Sequence, residues 1–147
     1  MNKRFSLQTL LDLSQLRLDD AARQLGKLMA SEKESAQRLQ LLEQYRAEYH
    51  TRFLATARDG LGRDQWRNFE AFLGRLDQAI AQAQLDTHRS QQNTAAGKQA
   101  WIDKRGQVNA YDTLAQRHQA RLQALEQKRE QKVQDEHAAR SPQEDDA

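Results

Sequence analysis

A chain with no cysteine has no disulfides, no thiolate zinc site and no cysteine nucleophile, and it is compatible with a reducing compartment. Proline occurs once in 147 residues, at Pro142, so nothing upstream carries that helix breaker. Apolar residues are scarce at 37%, too few for a compact core but enough for one packed seam. Long apolar runs are missing too. The start, MNKRFSLQTLLDL, is basic, but Gln8 and Asp12 break up its apolar residues, so neither a signal peptide nor a membrane span is expected and the chain reads as cytoplasmic. Neither charge sign dominates: the net is +2 with 30% charged residues, and no strong basic stripe calls for nucleic acid.

Catalytic signatures are absent as well. There is no glycine-rich phosphate loop, nucleophile elbow or EF-hand pattern. His50, His88, His118 and His137 have no i,i+4 ligand partners. Asp19 and Asp20 are adjacent, so on a helix they point to different faces and do not form a carboxylate pair. The chain reads as non-enzymatic, with no cofactor and no metal.

What is present is a heptad. From Trp66, steps of three and four residues reach Phe69, Leu73, Leu76, Ile80, Ala83, Thr87, Ser90, Thr94, Gly97, Trp101, Lys104, Val108, Tyr111, Ala115, His118, Leu122 and Leu125. Spacing of about 3.5 residues keeps one stripe facing a partner helix along a left-handed supercoil. This stripe is apolar at both ends and polar in the middle. Upstream, Leu11, Leu18, Leu25 and Leu39 recur at sevenfold spacing; Ala22, Met29 and Ala36 fill the alternate positions and Glu32 interrupts them. Beyond Leu39 the apolar set drifts to Leu42, Tyr45, Tyr49 and Phe53.

Between the two patterns lies Arg58-Asp59-Gly60-Leu61-Gly62-Arg63-Asp64. Gly60 suits a left-handed helix stop, and Asp64 suits a cap for the next helix. The expected fold is therefore all-α: a long antiparallel two-helix coiled-coil hairpin over residues 1–140. Its helices run over about 5–57 and 65–138, with a turn at 58–64. The acidic residues 141–147 are expected to be a disordered tail.

Folding about the turn pairs residues whose numbers add to roughly 123, if the helices are in register. Glu32 and Ser35 then face Thr87 to Gln91, Gly26 faces Gly97, and Trp101 meets Ala21 and Ala22. Polar positions meet polar ones and large residues meet small ones, which favours a monomeric hairpin over a parallel dimer. The middle of the hairpin should be its loosest part.

Two surfaces stand out. Near the turn, Leu42, Tyr45 and Tyr49 fall opposite Phe72, Leu76 and Ala79, giving more aromatic area than a two-helix seam covers. At the open end the second helix outruns the first. The set there is Phe5, Leu11 and Leu18 with Arg121, Leu122, Leu125, Lys128 and Arg129.

These residues resemble a known family. Phe5-Ser6-Leu7 with Leu10-Leu11, then Leu18-Asp19-Asp20-Ala21-Ala22-Arg23 with Leu25-Gly26, resembles the first helix of the flagellar export family FliJ. Leu42, Tyr45, Glu48, Tyr49, Trp66, Asn68, Phe72, Leu76, Ala79 and Ile80 are similar to its central segment, and Trp101 and the charged end also fit. The resemblance implies a coiled coil similar to the central stalk of rotary ATPases. It also implies a coupling and chaperone-escort role in type III export, in the cytoplasm and peripherally associated with the inner membrane through the apparatus. The implied partners are the hexameric export ATPase, the cytoplasmic domain of the export gate and substrate-specific export chaperones, with no nucleic acid and no direct membrane insertion. The gate contact would fall on Leu42, Tyr45, Tyr49, Phe72, Leu76 and Ala79, and the ATPase contact on the open end. Two other readings stay open: the stalk protein of a virulence type III secretion system, and a generic structural or DNA-associated coiled coil.

Overall fold

A computed structural model describes the backbone of residues 3–145 and the side chains of residues 6–140. Two helices account for it: α1, Lys3–Arg58, and α2, Arg63–Asp145, packed antiparallel as an all-α helical hairpin. Contacts divide the chain into two compact units, Asp20–Ile102 and Met1–Asp19 with Asp103–Ala147.

The turn in the first unit is built by local chemistry. Gly60 takes φ +94°, a conformation that costs glycine nothing. The amides of Asp59 and Gly60 bond back to the carbonyls of Thr56 and Ala57 at 3.1 and 3.2 Å, satisfying carbonyls at the end of α1. Gly62, not Asp64, caps α2. Its carbonyl accepts from the Trp66 amide at 3.0 Å, while the Gln65 side chain reaches back to the Gly62 amide at 3.4 Å. The Gln65 bond is the reciprocal arm of a capping box; glycine has no hydroxyl to supply the other arm. Asp64 sits in the first turn of α2, where its charge favours the positive end of the helix dipole.

Within this unit the expected register is observed. Ser35–Ser90, Leu28–Thr94, Arg46–Asp77 and Phe53–Phe69 are all in contact, and each pair of numbers adds to within a few of roughly 123. On α2 every expected seam position from Phe69 to Trp101 is buried or half-buried. Among the described residues the buried apolar side chains are Phe53 at 8%, Leu76 at 7% and Ala83 at 4% exposed. The core is a strip, and it is deepest near the turn.

On α1 the seam differs from the expectation. Ala21, Leu28 and Ser35 line it, whereas Ala22, Met29 and Ala36 are exposed. Stepping from Leu18 by three, then four, gives Ala21, Leu25, Leu28, Glu32, Ser35, Leu39, Leu42, Arg46, Tyr49 and Phe53, all buried or half-buried. The residues one step away are similar in size, and Ala36 is more apolar than Ser35; regular seam geometry decides. Nor does the stripe drift after Leu39. Arg46 holds the seam position and Tyr45 lies beside it.

The middle of the seam is polar and close. Ser35 Oγ and Ser90 Oγ lie 3.1 Å apart, and Thr94 Oγ1 donates to the Leu28 carbonyl at 3.2 Å. A Cβ built on Gly97 would come within 2.6 Å of Leu28 Cδ1, so this glycine marks a close approach of the helices. Gly26 does not face it: a Cβ there meets nothing within 4 Å. Gly26 lies one residue beyond the seam position Leu25, which carries it about 100° round the helix.

In the second unit the same alternation gives half-buried or buried Leu7, Leu11, Ser14 and Leu18 on α1. On α2 it gives half-buried Lys104, Val108, Tyr111, Ala115, His118 and Leu122. Ser14 is 3% exposed and returns its hydroxyl to the Leu11 carbonyl at 2.8 Å, so burial leaves it satisfied. From Gln123 to Arg140 every residue is exposed. The helical backbone continues through residues 141–145, the first part of the expected tail, because no glycine or capping motif stops it after Ala138.

Two measurements check this packing. Ser35→Cys with Ser90→Cys should crosslink within one chain under mild oxidation; a crosslink seen only between chains contradicts the hairpin. Gly26→Ala should raise stability by about 0.5–1 kcal/mol in urea unfolding, since it adds helix propensity in open space. Gly97→Ala should return less than that, because Leu28 has to turn aside.

Candidate protein-docking surfaces

The tyrosine flank belongs to the unit Asp20–Ile102 and grows out of the deepest part of the seam. Phe53 is its anchor, with Phe69 at 4.7 Å and Trp66 at 5.1 Å between ring centres. Tyr49 packs on Phe72 at 4.4 Å and on Phe69 at 5.2 Å. Tyr45 meets only Phe72, edge-on at 6.4 Å. The aromatic ladder therefore runs outward, from buried Phe53 through half-buried Tyr49 to Tyr45, which is 50% exposed.

Of the six residues expected to form this surface, ring contacts join three: Tyr45, Tyr49 and Phe72. Leu42 is half-buried on the seam, and Leu76 is spent almost wholly on it. Ala79 is exposed. The face open to a partner is thus Tyr45 with the outer edge of Phe72 and Ala79, joined by Leu41, which is largely exposed.

Arg46 and Asp77 add a polar clamp absent from the expected set. Arg46 Nε donates to Asp77 Oδ1 at 2.5 Å, and Nη2 to Oδ2 at 3.5 Å. This hydrogen bond and the carboxylate charge hold the guanidinium pKa above its ordinary value. A signal for it exists in the sequence, since Arg46 and Asp77 add to the pairing number and have opposite charge. An arginine in an apolar stripe reads as an interruption unless its partner is sought across the hairpin.

The open-end set lies in the other unit. Leu11, Leu18 and Leu122 are half-buried, while Arg121, Leu125, Lys128 and Arg129 are exposed, Leu125 at 55%. Phe5 lies outside the residues whose side chains are described. From Gln123 to Arg140 no apolar position of α2 is buried or half-buried. The grooves along this segment are formed by neighbouring side chains of one helix, such as Gln119, Leu122, Leu125 and Arg129, and none is an enclosed cavity. Among the described residues no cluster of His, Asp and Glu is placed to hold a metal ion. No described helix is long and apolar enough to cross a membrane.

Two unequal antiparallel helices with one thin seam agree with the coiled-coil hairpin that the sequence resemblance implies. A family model described as Flagellar FliJ protein matches residues 2–145. The chain belongs to the FliJ family. It is similar to the Flagellar FliJ protein of Salmonella typhi, 30% identical over 136 residues that cover 92% of both chains. It is also similar to the Flagellar FliJ protein of Escherichia coli (strain K12), 28% identical with the same coverage. Membership of this flagellar family rests on nearly the whole length of the chain, not on one segment.

The ladder separates stability from docking. Tyr49→Ala should cost roughly 2 kcal/mol, because it empties a half-buried site between two rings. Tyr45→Ala should cost less than about 1 kcal/mol, one edge contact. Urea unfolding followed by far-ultraviolet circular dichroism measures both; equal losses would place Tyr45 in the core.

Proposed function

We propose that this chain is a non-catalytic coupling protein of the flagellar type III export apparatus. Its open end engages the central hole of the hexameric export ATPase as a stalk, and its Tyr45 flank docks on the cytoplasmic domain of the export gate. Handling of substrate-specific export chaperones belongs to the same reading. The observation that carries it is the helix after Leu122: 18 helical residues, Gln123 to Arg140, all of them exposed. A single helix presenting Leu125 and Val133 to water is marginal, and a surrounding ring supplies the missing contact. Family membership supplies the apparatus and favours the flagellar system over a virulence system or a generic coiled coil.

The two surfaces lie in different compact units, so they are separable by mutation. Nothing in the packing requires a reaction at either site, since both are open surfaces. Location in the cytoplasm, with peripheral attachment to the inner membrane through the apparatus, follows from these partners.

A chain ending at Leu122 should lose stimulation of the purified export ATPase while still binding the gate domain. Tyr45→Ala should do the reverse, weakening gate binding by about tenfold, the size expected for one exposed aromatic anchor. Full stimulation by the shortened chain would show that the overhang is only a helix end, and undiminished gate binding by Tyr45→Ala would remove the flank.

A further inference from the structure

Beside the seam, α2 carries a second stripe within the unit made of Met1–Asp19 and Asp103–Ala147. Asp103, Gln107, Ala110, Leu114, Arg117 and Arg121 follow one another by steps of four and three, and all are exposed. At 100° per residue they lie within an arc of about 80°, roughly 100° round the helix from the seam. The order of residue types along it is what matters. One end is acidic, the other is cationic, and the centre holds one small and one large apolar residue.

Such a stripe complements itself when reversed. Turned about a twofold axis at the level of position 112, it sets Asp103 on Arg121, Gln107 on Arg117 and Ala110 on Leu114 of a second copy, each pair occurring twice. Acid meets cation, an amide carbonyl meets a guanidinium, and large meets small. Laid parallel on itself, the same stripe would put Asp103 on Asp103 and Arg121 on Arg121, which repel. The charge order therefore selects both the occupant and its direction.

The first helix agrees with that axis. Near the turn Tyr45 and Phe72, each one residue before a seam position, touch and so share a flank. Leu10 and Leu114 stand in the same relation to Leu11 and Ala115, and their numbers add to 124, so they too share a flank. Leu13, one residue before Ser14, lies on that side as well. By this register position 112 of α2 is level with position 12 of α1. Leu10 and Leu13 thus straddle the axis, and each meets the other in the second copy. Leu10, Leu13 and Leu114 are 39%, 42% and 47% exposed, and the second copy covers all three. Arg17, a further charge on this flank, comes opposite Ser6 of the copy.

We propose that the chain forms an antiparallel homodimer through this flank, its two α2 stripes paired about position 112. Each hairpin still folds within one chain, and the second copy packs against its side. The contact uses one patch on both copies, so it closes at two. Arg121 also belongs to the ring-binding end proposed above, so a chain in the dimer is withheld from the ring.

The test uses the full-length chain alone, and its outcome is independent of the function proposed above. Sedimentation equilibrium should show a reversible monomer–dimer equilibrium that salt weakens. Arg121→Asp or Asp103→Arg alone should raise the dissociation constant about tenfold, since two exposed ion pairs become like-charge pairs. The two exchanges shift net charge in opposite directions, and both together in one chain should restore the dimer. Leu114→Gln should weaken it at unchanged charge, whereas Arg105→Glu with Glu126→Arg, away from the stripe, should leave it nearly unchanged. Mild oxidation of Ala110→Cys chains mixed with Leu114→Cys chains should join one of each. Circular dichroism checks that each variant keeps its helix. A chain that stays monomeric at every concentration, a dimer indifferent to both reversals, or reversals that the double exchange does not restore overturns the proposal. A monomer whose stripe variants lose ATPase stimulation overturns it in favour of the ring.

Discussion

Every feature of this chain stems from having only two helices to share one seam. A third layer would let large side chains disappear; two helices cover only the strip between them. Hence the buried apolar side chains among the described residues are Phe53, Leu76 and Ala83, and Tyr45, Leu41 and Leu125 remain largely at the surface. In a globular domain such exposure invites aggregation. In a helical hairpin it is the ordinary condition of a residue one step off the stripe. Surface and core are then neighbouring positions on one helix, and Tyr45 is one ring away from Tyr49.

The seam is graded along its length. Near the turn it is aromatic and flanked by the Arg46–Asp77 ion pair, and farther along the unit Asp20–Ile102 it is hydroxyl and glycine. Cross-helix bonds such as Ser35–Ser90 and Thr94 to the Leu28 carbonyl replace hydrophobic burial with directional contacts. Such bonds add little net stability, typically about 1 kcal/mol each, but leaving their partners unpaired is costly. The close approach at Gly97 brings the Leu28 carbonyl within reach of Thr94. Small residues thus set the helix separation and the hydroxyls use it.

The α2 stripe, the turn and the pairing register are legible in the sequence because each rests on spacing, and spacing survives any exchange of residue type. The α1 stripe is harder to read. Ala22, Met29 and Ala36 are attractive on hydropathy, yet Ala21, Leu28 and Ser35 hold the seam; a half-buried serine with a partner across the hairpin fits the geometry better than the alanine one step away. Leu76 and Tyr49 group with the docking face on helical position, but position alone does not measure burial; ring contacts and packing do. Arg46 escapes notice for the same reason, its role depending on Asp77 thirty-one residues away. Spacing does not supply the contact partner of each off-stripe residue.

The absence of any loop between Lys3 and Arg58, or between Arg63 and Asp145, has a further consequence for how such a chain changes over generations. Substitutions are absorbed one at a time, because most positions touch little. An inserted or deleted residue is different: it turns everything beyond it by about 100° and swings each stripe off its partner. There is no slack in which to hide the error. Helical continuity therefore makes the reading frame of the heptad, rather than the identity of its residues, the inherited quantity. Relatives only 28–30% identical that match across 92% of both lengths fit that rule.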